Sequence, residues 1–170
     1  MLAVLLASTV AMAQATDPAG DAIAMLAAPE RATPAPVAWL PQCTSQGRST
    51  PLACRIEQRL IVEETGQAFL TLTVHAAGGD APPVLAIQTP LGLFLPPGLI
   101  LRVGDEAPIS IPVTTCDANG CHATRTLDDA LLATFQAGGT LDLVLHTAPD
   151  QTLAVPIPLA GFATAYAAIR

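Results

Sequence analysis

The chain contains no lysine, and all 7 of its basic residues are arginine. That absence excludes Schiff-base and lysine-nucleophile chemistry outright. Charge of either sign is sparse, at 12% of 170 residues, and positive charge is the scarcer: 7 basic against 14 acidic side chains give a formal net charge of −7. A nucleic-acid binder needs a basic surface to neutralise phosphate, so nucleic acid is not an expected partner. An anionic membrane surface would repel the chain for the same reason, and no basic amphipathic helix offsets that repulsion. Serines are few and none stands in a Gly-x-Ser-x-Gly elbow, which leaves a hydrolase triad without its nucleophile setting. No glycine-rich phosphate loop runs from a strand into a helix, since Gly138-Gly139 follows a helical pattern instead of opening one.

What is present begins with an uncharged leader. Residues 1–15 run through Leu2-Ala3-Val4-Leu5-Leu6-Ala7 into the small-residue sites Ala11-Met12-Ala13 and Ala13-Gln14-Ala15, the pattern of a secretory signal peptide. The apolar run is shorter than the roughly 20 residues a membrane span requires, so no span is expected in the mature chain. No basic residue precedes the run, and the signal is therefore expected to begin upstream of Met1. Residues 16–36 are mainly alanine, proline and aspartate, and Pro29, Pro34 and Pro36 interrupt any helix that Ala22–Ala28 begins. They read as a spacer, with a short docked helix carrying Ile23, Met25 and Leu26 as the alternative. One domain, residues 37–170, remains, large enough for a full hydrophobic core. Export places it in the periplasm, or beyond it at the outer membrane or outside the cell.

Export also changes how the 4 cysteines are read, because an oxidising compartment favours disulfides over metal sites and catalytic thiols. Cys43, Cys54, Cys116 and Cys121 allow three connectivities, and the sequence alone does not choose among them. Pairing near neighbours, Cys43 with Cys54 and Cys116 with Cys121, closes the two shortest loops and is the expected arrangement. The domain reads as short strands. Arg55–Val62 places Ile56, Leu60 and Val62 on one face, Gln67–His75 alternates Leu70, Leu72 and Val74 against Phe69, Thr71 and Thr73, and Glu64-Thr65-Gly66 turns between them. Further strands are expected at Val84–Thr89, Leu93–Leu95, Leu99–Val103, Ile109–Val113, Thr140–His146 and Gln151–Leu159. Two helices interrupt them. Asp128–Gly138 has acids at its start, Leu131 and Phe135 on one face and glycine at its end, and Gly161–Arg170 repeats Phe162, Tyr166 and Ile169 at helical spacing. The expected fold is thus an all-β antiparallel sandwich with one internal and one C-terminal helix. The Phe162/Tyr166/Ile169 stripe is expected to be core, with a partner-binding face as the alternative.

Constellations that could carry chemistry are thin. Cys121-His122 is not a c-type haem site, because the interval from Cys116 is too long. A zinc set of Cys116, Cys121 and His122 with a distant His75 or His146 lacks a second short-spaced ligand pair. A redox-active pair is more usual as Cys-x-x-Cys at a helix start, whereas Asp117-Ala118-Asn119-Gly120 reads as a hairpin tip. The acid pairs Glu63-Glu64, Asp105-Glu106 and Asp128-Asp129 each adjoin a turn or helix start, and sequence neighbours on a strand point apart. No catalytic residue, cofactor or metal ligand is expected.

Several features stand together in order: Trp39 with Cys43, Cys54 followed by Gln58, the run Thr89-Pro90-Leu91-Gly92-Leu93-Phe94-Leu95-Pro96-Pro97-Gly98, Cys116 to Gly120-Cys121, and Leu159-Ala160-Gly161-Phe162 with Ala165. Together they resemble the invasion-associated locus B family from about Trp39 to Ile169. That resemblance implies an exported protein of Gram-negative bacteria with an immunoglobulin-like sandwich, and a role in host-cell (erythrocyte) invasion. It brings no catalytic residues with it. The leader and the Pro/Ala spacer depart from the family pattern. In physical terms, Pro90 and Pro96-Pro97-Gly98 fix turns, Gly120 permits a tight turn before Cys121, and Gly161 bends the last strand into the final helix. The expected function is a non-enzymatic envelope protein that binds another protein, in the envelope or on a host cell, through an apolar or acidic patch. The alternative is a periplasmic thiol-disulfide or other envelope enzyme using Cys116 and Cys121.

Overall fold

Alternation of apolar and polar residues at period two sets the architecture, because each strand buries one row of side chains and exposes the other. In this computed structural model the described residues are 38–170 without 46, 49, 51, 77–80 and 105. The leader, the spacer and Val37 lie outside them. Among the described residues ten strands and two helices follow in order: β1 Leu40–Thr44, β2 Ala53–Ile61, β3 Ala68–His75, β4 Val84–Thr89, β5 Leu99–Val103, β6 Ile109–Ile111, β7 Val113–Asp117, β8 Gly120–Thr126, α1 Asp129–Ala137, β9 Thr140–Ala148, β10 Gln151–Pro158 and α2 Phe162–Ala167. They form a six-stranded sheet in the order β1-β2-β3-β4-β8-β7 and a four-stranded sheet in the order β10-β9-β5-β6. Every pairing is antiparallel.

One hydrophobic cluster takes Ile56, Leu70, Leu72, Val74, Leu85 and Ile87 from the larger sheet and Leu99, Leu101, Ile111, Leu141, Leu143, Leu145 and Ile157 from the smaller. Two antiparallel sheets sharing one core make a β-sandwich, immunoglobulin-like in architecture with its own strand order. The register puts the chain's connections at opposite ends. Both helices join strands at one end, where β8 leads into α1, α1 into β9, and β10 into α2. The turn between β2 and β3, the loop between β4 and β5, the β7–β8 tip and the β9–β10 turn gather at the other. The first is the helix end of the sandwich and the second its loop end.

At the helix end the scarce aromatic residues are concentrated. Phe162 is fully buried and stands edge-on to Trp39 at 5.0 Å and to Phe135 at 5.2 Å, and it stacks on Tyr166 at 5.8 Å. Trp39 Nε1 and the fully buried Gln58 Nε2 both donate to the Pro158 carbonyl, at 3.3 and 2.9 Å, which ties β2 to the end of β10. The Phe162/Tyr166/Ile169 stripe is therefore core, and its reading as a partner face is set aside.

Three strand expectations need correction. Leu93–Leu95 is a loop, because Pro90, Gly92 and Pro96-Pro97 leave too short a run for a ladder, and only Phe94 N–H reaches a strand, donating to the His146 carbonyl at 2.8 Å. Ile109–Val113 is two strands, since Pro112 cannot donate to a ladder and marks the crossing from the four-stranded sheet to the six-stranded one. Val62 lies beyond a bulge at Leu60/Ile61 and closes the turn by donating to Gln67, instead of sharing a strand face with Ile56. The final helix is also shorter than its spacing suggests, ending at Ala167 with Ile169 buried beyond it. Gly120 is a fold determinant: it sits at φ 140°, and a Cβ there would collide with the Thr89 carbonyl oxygen.

Candidate functional site

The cysteines pair as near neighbours. Cys43 is bonded to Cys54 and Cys116 to Cys121, and among the described residues none is free. Each bond joins residues directly opposite on adjacent strands, β1 with β2 and β7 with β8. The two bonds therefore fasten both outermost strands of the six-stranded sheet. Cys116 is exposed and Cys121 buried, on a hairpin and not at a helix start. Bonding to each other takes both out of the zinc set with His122, and among the described residues no group of three or more His, Cys, Asp or Glu converges.

The acid pairs serve local structure. Glu63 and Glu64 are exposed in the β2–β3 turn. Asp128 caps α1, its Oδ1 accepting from Leu131 N–H at 3.0 Å, and lies 3.7 Å from Arg125, while Asp129 occupies the first turn. Glu106 is exposed, and Asp105 lies outside the described residues. The hairpin tip is held by the Asn119 N–H donating to Asp117 Oδ1 at 2.7 Å, by Gln88 Nε2 donating to the Asn119 carbonyl at 2.9 Å, and by His122 Nε2 at 3.3 Å from Asp117. The Asn119 backbone N–H, assisted by His122, holds the Asp117 carboxyl below the ordinary carboxylate range. A depressed carboxylate stabilises the fold above its unfolded pKa, and that contribution is lost as pH falls through the folded value. Asp117→Ala is thus expected to lower the thermal midpoint at neutral pH. The difference from the unsubstituted protein narrows as pH falls below the unfolded pKa of about 3.9 and is lost once pH has passed the lower folded value, as thermal scans across that range would show.

The loop end is chemically distinct. Six large hydrophobic side chains are exposed among the described residues, and four of them, Ile61, Leu91, Leu95 and Leu153, lie on or beside its connections. Leu91 and Leu95 stand 55% and 39% exposed on the loop between β4 and β5. That loop is anchored, not loose: Phe94 N–H holds β9, the Pro97 carbonyl accepts from Ser110 Oγ at 3.2 Å, and Gly98 N–H closes onto the Leu95 carbonyl at 2.9 Å. Glu63, Glu64, Asp117 and Asp150 give this end an acidic rim. The sequence reading missed these four residues as a group, because it placed Leu95 in a strand at Leu93–Leu95 and Leu153 in a strand at Gln151–Leu159 without assigning either a face. Proline and glycine around Leu91 and Leu95 were the available signal.

At the helix end a cleft of about 1030 Å³ is lined by Leu52, Pro82, Pro83, Leu132, Tyr166 and Arg170 among others. Among its titratable members Asp128 caps α1, Asp129 sits in the first turn of that helix, and Arg170 lies over the Tyr166 ring at 5.7 Å. Among the described residues no helix is long and apolar enough to cross a membrane.

Comparison with curated proteins finds no match. Among solved structures, the crystal structure of invasion associated protein B from Bartonella henselae is similar, with a TM-score of 0.69 and 21% identity over 78% of this chain and 90% of that one. At that identity the likeness concerns the fold. The family model described as invasion associated locus B (IalB) protein matches residues 39–170, which includes the buried Trp39, both disulfides, the Pro90–Gly98 loop and Phe162. The chain belongs to the invasion associated locus B family.

Proposed function

We propose that this is an exported, non-enzymatic envelope protein, periplasmic or surface-associated, that binds another protein through the loop end of its sandwich. One observation carries the reading: four of the six exposed large hydrophobic side chains gather at the end where the loops meet. Exposed apolar side chains clustered on anchored loops and rimmed by charge are the usual composition of a protein-binding surface, and a rigid sandwich is a usual scaffold for it. Export is supported by the uncharged apolar leader and by cysteines spent on edge-strand disulfides. The non-enzymatic reading is supported by carboxylate pairs that serve as turns and caps and by thiols bound to each other. A role in host-cell entry, as the family name suggests, belongs to the same proposal.

The test is affinity capture from native envelopes and from host-cell membranes with the oxidised protein and a Leu91→Asp/Leu95→Asp variant. The unsubstituted protein is expected to retain a specific protein that the variant retains at least tenfold less, with both showing the same thermal midpoint. Equal retention by a folded variant would remove the loop end from the account. Free thiols at Cys116 and Cys121 in the native preparation would favour redox chemistry instead.

A further inference from the structure

One groove on the outward face of the six-stranded sheet carries charge of the opposite sign to the molecule as a whole. Arg55, Glu57 and Arg59 alternate outward along β2, and the cross-strand partners of the two arginines on β3 are His75 and Thr71. Thr71 in turn pairs with Gln88 on β4. These side chains line an open groove of about 390 Å³. Glu57 is 8% exposed, ion-paired to Arg59 and 3.9 Å from Arg55, while the guanidinium side chains are 61% and 41% exposed. Arg55 is further steadied by donating from Nη2 to Gln42 Oε1 at 2.9 Å on β1. The buried Glu57 carboxylate thus positions two guanidinium side chains that stay partly exposed, and the groove has an excess of positive charge on a chain of net charge −7.

We infer that this groove binds an acidic polypeptide segment of a protein partner, whose carboxylates take the partly exposed guanidinium groups of Arg55 and Arg59. Guanidinium donors match carboxylate geometry, and the hydroxyl of Thr73, opposite Glu57 at the register between the two arginines, supplies a hydrogen bond between them. Four residues along β2 separate the two arginines by about 13 Å, a span that an extended segment crosses in four of its own residues. A large polyanion, whether an anionic lipid surface or a long acidic polysaccharide, would also meet the acidic remainder of the molecule, whose repulsion acts beyond the ~8 Å screening length. A short acidic stretch on a neutral or basic partner meets the groove alone. The groove borders the loop end at Ala68, opposite Ile61, but includes neither Leu91 nor Leu95, so the two sets of substitutions keep its failure and the failure of the loop-end reading distinguishable.

The experiment measures binding of a fluorescent twelve-residue peptide of alternating glutamate and threonine to the oxidised protein at low salt. Its arms are a lysine/threonine peptide, a heparin oligosaccharide and anionic vesicles. The acidic peptide is expected to bind and the lysine peptide not. Arg55→Gln/Arg59→Gln is expected to weaken binding at least tenfold and, by leaving the buried Glu57 carboxylate without its guanidinium partners, to lower the thermal midpoint, and Leu91→Asp/Leu95→Asp to leave binding unaltered. Amide chemical-shift changes on the unsubstituted protein should fall on residues 55–59 and 71–75, which keeps the test valid if the arginine variant unfolds. No binding of the acidic peptide, shifts confined elsewhere, or tighter binding of heparin or vesicles than of the peptide would overturn the inference.

Discussion

Phe162→Ala is expected to lower folding stability by about 3 to 5 kcal/mol. The ring is fully buried and touches Trp39, Phe135 and Tyr166, which come from the start of the domain, from α1 and from its own helix. Truncation removes the transfer free energy of the ring and leaves a cavity that three large neighbours, themselves anchored, cannot collapse into. Trp39 is held by its hydrogen bond to Pro158 and Phe135 by the capped helix α1. For a domain of ordinary stability, about 5 to 15 kcal/mol, that loss is a large fraction of the whole. The measurement is a urea unfolding midpoint at constant denaturant dependence. A loss below about 1 kcal/mol would mean that α2 is an appendage on the sandwich and not part of its core.

Reduction of both disulfides is the second large effect. On chain-entropy grounds the bond with sequence separation 11 contributes about 3 kcal/mol and the one with separation 5 about 2 kcal/mol. Their combined loss, about 5 kcal/mol, is expected to appear as a fall in the urea midpoint of the reduced and alkylated protein. The location of the effect is more informative than its size. Since each bond fastens an outermost strand, reduction is expected to expose β1 and β7 to hydrogen exchange first while β3 and β4 stay protected. Uniform loss of protection would show that the bonds brace the whole sandwich and not its edges.

How much of this was legible in the sequence follows from which signals are local. The β2–β3 hairpin, β4, β5, β9 and β10 declare themselves by alternation, and Asp128 with Gly138 brackets α1. The Pro112 crossing was blurred because Ile109, Ile111 and Val113 alternate as one strand would, while the missing N–H of a single proline decides that they belong to two sheets. Strand β1 carries no alternation strong enough to identify it. It is an edge strand with four of its five residues exposed, held by Cys43 and its pairing with β2. The cysteine partners were anticipated as near neighbours because those pairings close the shortest loops, whereas the Trp39–Phe162 contact could not be placed. Neither candidate surface was visible, since each is an assembly of residues from distant strands. Leu91 and Leu153 come to the same end of the sandwich only through the strand register, and Arg59 lines up with Thr71 and Gln88 only once β2, β3 and β4 are paired.

The central claim, that a braced sandwich presents its loop end to a protein and does its work by contact, is tested most directly by hydrogen–deuterium exchange on the complex with the captured partner. Slowed exchange is expected at residues 62–67, 90–98 and 148–151, with the helix end unchanged. Protection confined to α1, α2 and the cleft between Pro82 and Arg170 would contradict it.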